Sequence, residues 1–157
     1  MTAQERLLAL VNQNITGKPL RLSDVYFGIP TAIPETNGRN TEIGIIGRTE
    51  SGYFNTHRLQ YRRLDLGTLS TVPFEVTLHA GSAVNTDALV DALNRNYHLD
   101  LDYTDVVKED NLGAGVYRLK AITNGCRVIG EVDVHVQRIV KSIEPSLQVT
   151  TLGEFTY

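Results

Sequence analysis

Three aspartates lie close together in the sequence, where their side chains could bind a metal ion. Asp100, Asp102 and Asp105 form an Asp-x-Asp-x-x-Asp run, and carboxylate oxygens at this spacing can begin a calcium site. A calcium-binding loop also needs a glycine at its sharp turn and a glutamate that closes it after twelve residues. Neither follows here. We therefore interpret the run as a solvated turn and expect neither a metal nor a cofactor.

Side chains that could act as catalytic nucleophiles are few. Cys126 is the single cysteine, so it cannot form an internal disulfide, and as a nucleophile it would need a histidine base close in space. The four histidines show no recognisable spacing for such a pair: His57, His79, His98 and His135. The chain has no Gly-x-Ser-x-Gly or His-Glu-x-x-His motif, and Gly113-Ala114-Gly115 is too short for a phosphate-binding loop. These patterns predict a protein that is not an enzyme.

Arginines and aromatic residues share one segment in the first half of the chain. Such a mixture can bind single-stranded nucleic acid through charge and stacking. The net charge of −3 and the pI of about 5.8 argue against that partner, and acidic residues lie nearby in sequence. Arginine and tyrosine are also enriched in protein interfaces. We therefore predict an interface that includes Tyr53, Phe54, Arg58 and Arg62.

The elements that would position these residues are predicted from a stretch that occurs twice. Leu7 to Val25 and Leu89 to Val106 both contain a helical run that ends in Asn-x-Asn and is followed by a Leu, a Ser or Thr, and Asp-Val. With a one-residue gap the match pairs Leu7/Leu89, Val11/Leu93, Asn12/Asn94, Asn14/Asn96, Leu20/Leu101, Ser23/Thr104 and Asp24/Asp105. Later in the chain, Arg63-Leu64 matches Arg138-Ile139. The repetition predicts two tandem copies of one unit, residues 1–80 and 81–157, which could still form one compact protein.

Local signals predict the elements of each unit. Thr2 and Glu5 fit a capping box at the start of a first helix, and Asn85 or Thr86 can cap a second helix. Alternating residues predict strands over 41–47, 55–66 and 74–79, and Asn124-Gly125 favours a tight hairpin between strands over 116–123 and 127–140. Prolines and a glycine predict a surface loop over 29–40. The predicted fold class is α+β, each unit being a helix, a turn, a short strand and a β-hairpin, in a mainly antiparallel sheet.

Size and hydropathy restrict the partners. Each unit of about 75 residues would supply a core worth only about 3 to 5 kcal/mol, so the units should share an interface or bind a partner. No run approaches the roughly 20 apolar residues that span a bilayer, and the N-terminus lacks a signal-peptide pattern. We expect a protein made in a cytosol, without a membrane partner.

The C-terminal segment Leu147 to Tyr157 is unusually apolar for a chain end. Chain ends are normally loose unless something holds them, so we expect this segment either to pack on its own sheet or to reach a partner. Its candidate interface residues are Leu152, Phe155 and Tyr157.

Several short motifs follow one another along the chain. They are Asp24-Val25 with Phe27-Gly28-x-Pro30, Ser51-Gly52-Tyr53, Leu59-Gln60-Tyr61-Arg62-Arg63-Leu64-Asp65-Leu66, Leu93-Asn94-x-Asn96-Tyr97-x-Leu99-x-Leu101 and Thr104-Asp105-Val106-Val107. Together they resemble a repeat module of virion structural proteins in large-genome tailed bacteriophages, over nearly the whole chain. The resemblance implies an α+β module without enzymatic activity, located in a virion that is assembled in the host cytoplasm. Its partners would be copies of itself or other virion structural proteins in the tail, baseplate, neck or capsid decoration. The alternative is a free-standing binding module for a host-surface glycan or protein.

Overall fold

The computed structural model of the protein describes residues 1–79 and 84–139. We call these two ranges the first half and the second half. The apolar C-terminal segment, with the predicted interface residues Leu152, Phe155 and Tyr157, lies outside the described residues.

The first half begins with helix α1 (Ala3–Asn14). The predicted capping box is confirmed, because the Thr2 hydroxyl accepts from the Glu5 N–H at 3.2 Å and the Glu5 carboxylate accepts from the Thr2 N–H at 2.6 Å. Six strands follow: β1 (Val25–Phe27), β2 (Thr31–Thr36), β3 (Arg39–Gly47), β4 (Thr56–Tyr61), β5 (Leu64–Asp65) and β6 (Phe74–His79). Thr49–Ser51 and Leu66–Thr68 form single 3₁₀ turns.

The second half begins with helix α2 (Thr86–Tyr97). Asn85 caps it as predicted, because its side-chain oxygen accepts from the Ala88 N–H at 2.9 Å. Three strands follow: β7 (Gly115–Lys120), β8 (Val128–Ile129) and β9 (Glu131–Ile139).

The strands form three sheets. In the first sheet β3 pairs with β1 and β2 on one side and with β4 on the other, all antiparallel. In the sheet of the second half β9 lies between β7, which is antiparallel to it, and β6, which is parallel. The short parallel pair of β5 and β8 joins the two halves. The fold is therefore α+β with mainly antiparallel sheets, as the sequence predicts.

The predicted surface loop over 29–40 is wrong, because it contains β2 and the start of β3. The side chains of β2 are exposed or only half-buried, so no apolar alternation marks this strand. Pro34 fits there because β2 is an edge strand, where a missing N–H costs no ladder bond. Asn37 and Gly38, with φ of 52° and 72°, make the turn into β3.

The tight hairpin predicted at Asn124-Gly125 is also wrong. Lys120 and Glu131 are the last paired residues of β7 and β9, so the connection includes the whole segment 121–130. Of the two turn residues only Asn124 has a positive φ, 60°. The Gly125 carbonyl instead accepts a hydrogen bond from Arg63 of the first half, and this longer loop contains β8.

The hydrophobic core is concentrated in the second half. Its large cluster surrounds α2, β6 and β9 and includes Leu89, Leu93 and Val134, each with 0% exposure. The first half has two small clusters on the same face of its sheet. One joins Leu7 of α1 to Ile43 and Tyr61, and the other joins Leu8 to Val25 and Ile45.

Candidate functional site

An asparagine holds the turn after each helix: Asn12 holds the turn after α1 and Asn94 holds the turn after α2. These two residues are equivalent in the repeated stretch. The Asn12 side chain accepts from the Leu20 N–H and donates to the Leu20 carbonyl, both at 2.9 Å. The Asn94 side chain makes the same two bonds to Leu101, at 3.0 and 2.8 Å. Each asparagine thus closes a loop from its helix to the segment that enters the sheet.

A paired aspartate closes the next turn in each half. Asp24 accepts from the Arg21 N–H and Asp105 accepts from the Asp102 N–H, each at 2.8 Å. The residue after each aspartate then pairs with a residue where a strand ends: Val25 with Gly47, the last residue of β3, and Val106 with Ala121, directly after β7.

The connection from β3 to β4 and the connection from β7 to β9 also have matching hydrogen bonds. The Gly47 N–H donates to the Asn55 carbonyl at 3.0 Å, and the Ala121 N–H donates to the Gly130 carbonyl at 2.9 Å. Asn55 and Gly130 both have a φ of 78°. Strand β4 therefore lies against β3 as β9 lies against β7, and its residues correspond to those of β9 at the offset that matches Arg63 with Arg138.

The two halves differ at the outer edge of these strands. The outer edge of β9 is covered by β6, with Phe74 opposite Val134 and His79 opposite Ile139. Among the described residues, no strand pairs with the outer edge of β4. Since ladder bonds alternate along an antiparallel strand, the backbone groups that face away from β3 are those of Thr56, Arg58, Gln60 and Arg62. This open edge ends at Leu64, whose N–H donates to the Arg127 carbonyl at 2.9 Å.

The helix beside the open edge carries an exposed leucine, Leu10. In the second half α2 packs on β6, where the Tyr97 ring lies 4.4 Å from the Phe74 ring and the Tyr97 hydroxyl bonds the Glu75 backbone. Ala92 of α2 is 3% exposed. Leu10, at the matching position of α1, is 43% exposed. Helix α1 thus presents an apolar surface at the place where α2 contacts a strand.

A groove of about 450 Å³ lies between α1 and the end of β4. We call it the α1–β4 groove; it is lined by Arg6, Leu7, Leu10, Tyr61, Arg62, Leu64, His98, Leu99, Asp100, Cys126 and Arg127. Its charged rim is paired, because Arg6 and Arg127 both contact the Asp100 carboxylate, at 3.4 and 3.0 Å. Four leucines, Leu7, Leu10, Leu64 and Leu99, supply its aliphatic lining. The groove together with the open edge of β4 is the candidate functional site, and its shape and chemistry suit an extended peptide.

Neither Tyr61 nor Cys126, which both line the groove, is activated for chemistry. Burial raises the pKa of Tyr61 to about 12, and its buried hydroxyl has no hydrogen-bond partner among the described residues. Burial also raises the pKa of the Cys126 thiol, although nearby Arg63 opposes this. A reactive cysteine needs the opposite shift, toward thiolate.

Comparison with known proteins identifies a family that matches this chain. A model of a family of unknown function (DUF7941) matches residues 1–157. The chain belongs to this family. Comparison with curated proteins and with solved structures found no match. Neither helix of the described ranges is long and apolar enough to cross a bilayer.

The structure brings the first four predicted interface residues to one region. Arg58 and Arg62 lie on the exposed face of β4, where they pair with Glu42 at 2.9 Å and Glu35 at 2.8 Å. Tyr53 and Phe54 lie in the loop that enters β4, and Phe54 is 73% exposed. Only Arg62 of the four also lines the α1–β4 groove.

Two residues of this region are absent from the sequence prediction. Leu10 lies on α1 beside the buried residues Leu7 and Leu8. An apolar residue outside the buried face of the helix is the sequence signal that could have identified it. The second residue is Arg63, which lies directly after β4. It is 5% exposed, and its guanidinium donates to the Thr41 hydroxyl at 2.7 Å and to the Gly125 carbonyl at 2.9 Å. An arginine at an inward position is the sequence signal for such a buried contact.

The aspartate run serves the turn after α2. Asp105 is buried, and its carboxylate accepts from the Asp102 N–H and from Arg127 at 2.7 Å. Burial raises the pKa of Asp105, while these two donors oppose the shift. The hydrogen bond from the Thr104 N–H lowers the pKa of Asp102. In the described ranges no group of three or more histidines, cysteines or acidic residues is placed to hold a metal ion.

Proposed function

We propose that this chain is a non-enzymatic structural protein of a tailed-phage virion, built from two tandem copies of one α+β unit and acting through protein–protein contacts. The observation that carries the proposal is the open edge of β4 beside the apolar surface of α1. In the second half the matching position is filled by a strand. The first half therefore offers a complete docking site for an extended segment of a partner.

The repeated contacts support the tandem duplication. The asparagine side chains after the two helices, the aspartates of the two turns and the φ of 78° at the two connections agree in partner and in geometry. These features are local and polar, so a shared hydrophobic pattern alone would not produce them. The halves diverge at the outer strand edge, where an interface would form.

The physical properties of the site favour binding over catalysis. An exposed strand edge presents unpaired N–H and C=O groups, which another chain can pair. The raised pKa values of Tyr61 and Cys126 keep both side chains protonated at neutral pH. The resemblance of the motifs to a virion module supports a location in the particle, with the chain itself or other virion proteins as partners, and not nucleic acid or a membrane.

The test is the protein content of purified particles of the phage that encodes this chain. Quantitative mass spectrometry of banded, nuclease-treated and salt-washed particles should find the chain at a fixed copy number per particle. An abundant non-structural protein of the same lysate serves as the control for carry-over. Absence of the chain from washed particles would refute the proposal.

A pair of substitutions tests the site itself. Leu10→Glu places a charge on the apolar surface of α1 and should lower incorporation into particles, because docking would bury that charge. Ala9→Glu adds the same charge at a neighbouring exposed position and should be incorporated normally. Equal incorporation of both variants, with equal melting temperatures, would exclude the α1–β4 groove as the contact.

A further inference from the structure

The strand that completes the second half comes from outside its helix-to-hairpin unit. Strand β6 is the last strand of the first half in sequence, yet it pairs with β9 and contacts α2 of the second half. Phe74, Val76 and Leu78 point into the core of the second half, while the residues between them are exposed. Each hairpin is thus expected to receive its outer strand from a neighbouring unit.

A segment with the pattern of β6 occurs again near the C-terminus. Pro73 directly precedes β6, which begins Phe74-Glu75-Val76-Thr77; after Pro145 the chain reads Ser146 and then Leu147-Gln148-Val149-Thr150. Both segments have apolar residues alternating with polar ones. Phe74 lies 11 residues after Arg63, and Leu147 lies nine residues after the matching Arg138. The second segment therefore has the sequence of an outer strand at a similar place in its unit.

We propose that Leu147–Thr150 of one copy of this chain adds as a parallel strand to the β4 edge of a second copy. By the pairing of β6 with β9, the added strand would run beside Leu59–Arg62. Leu147 and Val149 would then lie next to Leu59 and Tyr61, on the side of the sheet that α1 covers. Gln148 and Thr150 would lie next to Gln60 and Arg62, which are exposed. Apolar residues thus meet apolar ones and polar residues meet polar ones.

The contacts between the halves indicate that the segment added to the β4 edge comes from a second copy and not from the same chain. The residues that follow β4 hold the loop of the second half: Arg63 donates to the Gly125 carbonyl and the Leu64 N–H donates to the Arg127 carbonyl. A reciprocal arrangement would bury Arg138 against the loop that precedes β4, but Arg138 and Phe54 are both exposed. The halves are therefore related head to tail. Continued by one more unit, the same relation gives the C-terminal segment a partner in another molecule.

The result would be a heterologous assembly, in which the donor and the acceptor surfaces differ. Such an interface makes a closed ring or an open filament, depending on the rotation between subunits. This inference rests on the tandem copies and the docking site of the proposed function.

Cross-linking between two singly substituted chains tests the proposed register. One chain carries Gln60→Cys and the other Gln148→Cys, both in a Cys126→Ser background, because adjacent residues on paired strands place their Cβ atoms within reach of a disulfide. Mild oxidation of the mixture should give a mixed dimer of both chains. A control mixture uses Thr56→Cys in place of Gln60→Cys; Thr56 lies before the proposed ladder, so the yield should be several-fold lower.

Self-association measured by sedimentation velocity tests the energetics. The wild-type chain should form concentration-dependent oligomers, and Val149→Glu should weaken association about tenfold or more, because pairing would bury the new carboxylate. Ser142→Glu adds the same charge outside the proposed strand and should associate like wild type. On the acceptor side, Gln60→Pro removes an outward N–H that β3 does not use, and it should prevent association while the circular dichroism spectrum is kept.

The other outcomes overturn the inference. If a chain carrying both cysteines forms only an internal bridge and stays monomeric, the tail covers its own β4. If wild type associates but neither Val149→Glu nor the cross-link responds, another surface is used. If wild type stays monomeric and no mixed dimer forms, no strand is exchanged between copies. Each of these results would leave intact a finding of the chain in washed particles, so the proposed function and this inference fail separately.

Discussion

The asparagine of the second turn offers a direct test of how the turn after each helix is held. Asn94→Ala removes two hydrogen bonds to the backbone of Leu101, at 3.0 and 2.8 Å. Each is worth about 0.5 to 1.5 kcal/mol net, and a buried backbone group left without a partner adds to the loss. Leu101 is 5% exposed, so water has poor access to the freed groups. We expect the free energy of unfolding to fall by about 2 to 3 kcal/mol.

Asn12→Ala is the matched comparison in the first half. Asn12 makes the same two bonds to Leu20, both at 2.9 Å, but Leu20 is only half-buried. Water can then replace part of the lost hydrogen bonding, so the free energy of unfolding should fall by about 1 kcal/mol. Urea denaturation followed by circular dichroism gives both values on the same protein.

Asn94→Asp separates hydrogen bonding from packing because it keeps the shape of the side chain. At pH 7 its second carboxylate oxygen would face the Leu101 carbonyl without a proton between them, so this variant should be less stable than Asn94→Ala. A protonated carboxyl can donate to that carbonyl, which raises its pKa in the folded state and restores stability as the pH falls toward about 4. The reasoning is refuted if Asn94→Ala costs less than about 0.5 kcal/mol, or if Asn12→Ala costs more than Asn94→Ala.

Three further substitutions test other parts of the fold. Leu93→Ala should lower the free energy of unfolding by about 2 to 5 kcal/mol, because Leu93 is fully buried; an unchanged melting temperature would contradict the packing of α2. Arg127→Gln should destabilise the protein at pH 7 by about 1 to 3 kcal/mol, and less at pH 4, because Asp105 then takes up a proton that its raised folded pKa favours; equal losses at both pH values would contradict this. Gly130→Ala should destabilise the protein more than Gly38→Ala. Both glycines have positive φ, 78° and 72°, but only at Gly130 would the new Cβ meet a neighbouring side chain, at 2.5 Å; equal effects in thermal melts would contradict the crowding.

Local chemistry made the helices and their ends predictable from the sequence. Thr2 with Glu5 and Asn85 are capping residues whose hydrogen bonds span three positions, so the signal and its partner lie in one window. The same holds for β6, whose alternation of buried and exposed residues is visible in the sequence. Strand β2 escaped prediction because its exposed side chains carry no such alternation, and its pairing depends on β3.

Contacts between distant residues could not be predicted in the same way. The partner carbonyl of Arg63, at Gly125, lies 62 residues away, in a loop whose tight-turn signal predicted a different path. Likewise, nothing in the residues of β6 states that it pairs with β9 and not with β4. The open edge of β4 follows from that choice, so the candidate site could be seen only in the structure.

The pairing of β6 with β9 also has a consequence for synthesis on the ribosome. Strand β6 leaves the ribosome before α2, β7 and β9, so Phe74, Val76 and Leu78 must wait in water until β9 is made. Parallel pairing between segments so far apart in sequence is slow to form, and exposed apolar strands are prone to aggregate while they wait. The second half should therefore fold late and all at once, and a fragment that begins at Val84 should fail to fold, whereas a fragment that begins before Pro73 carries the strand it needs.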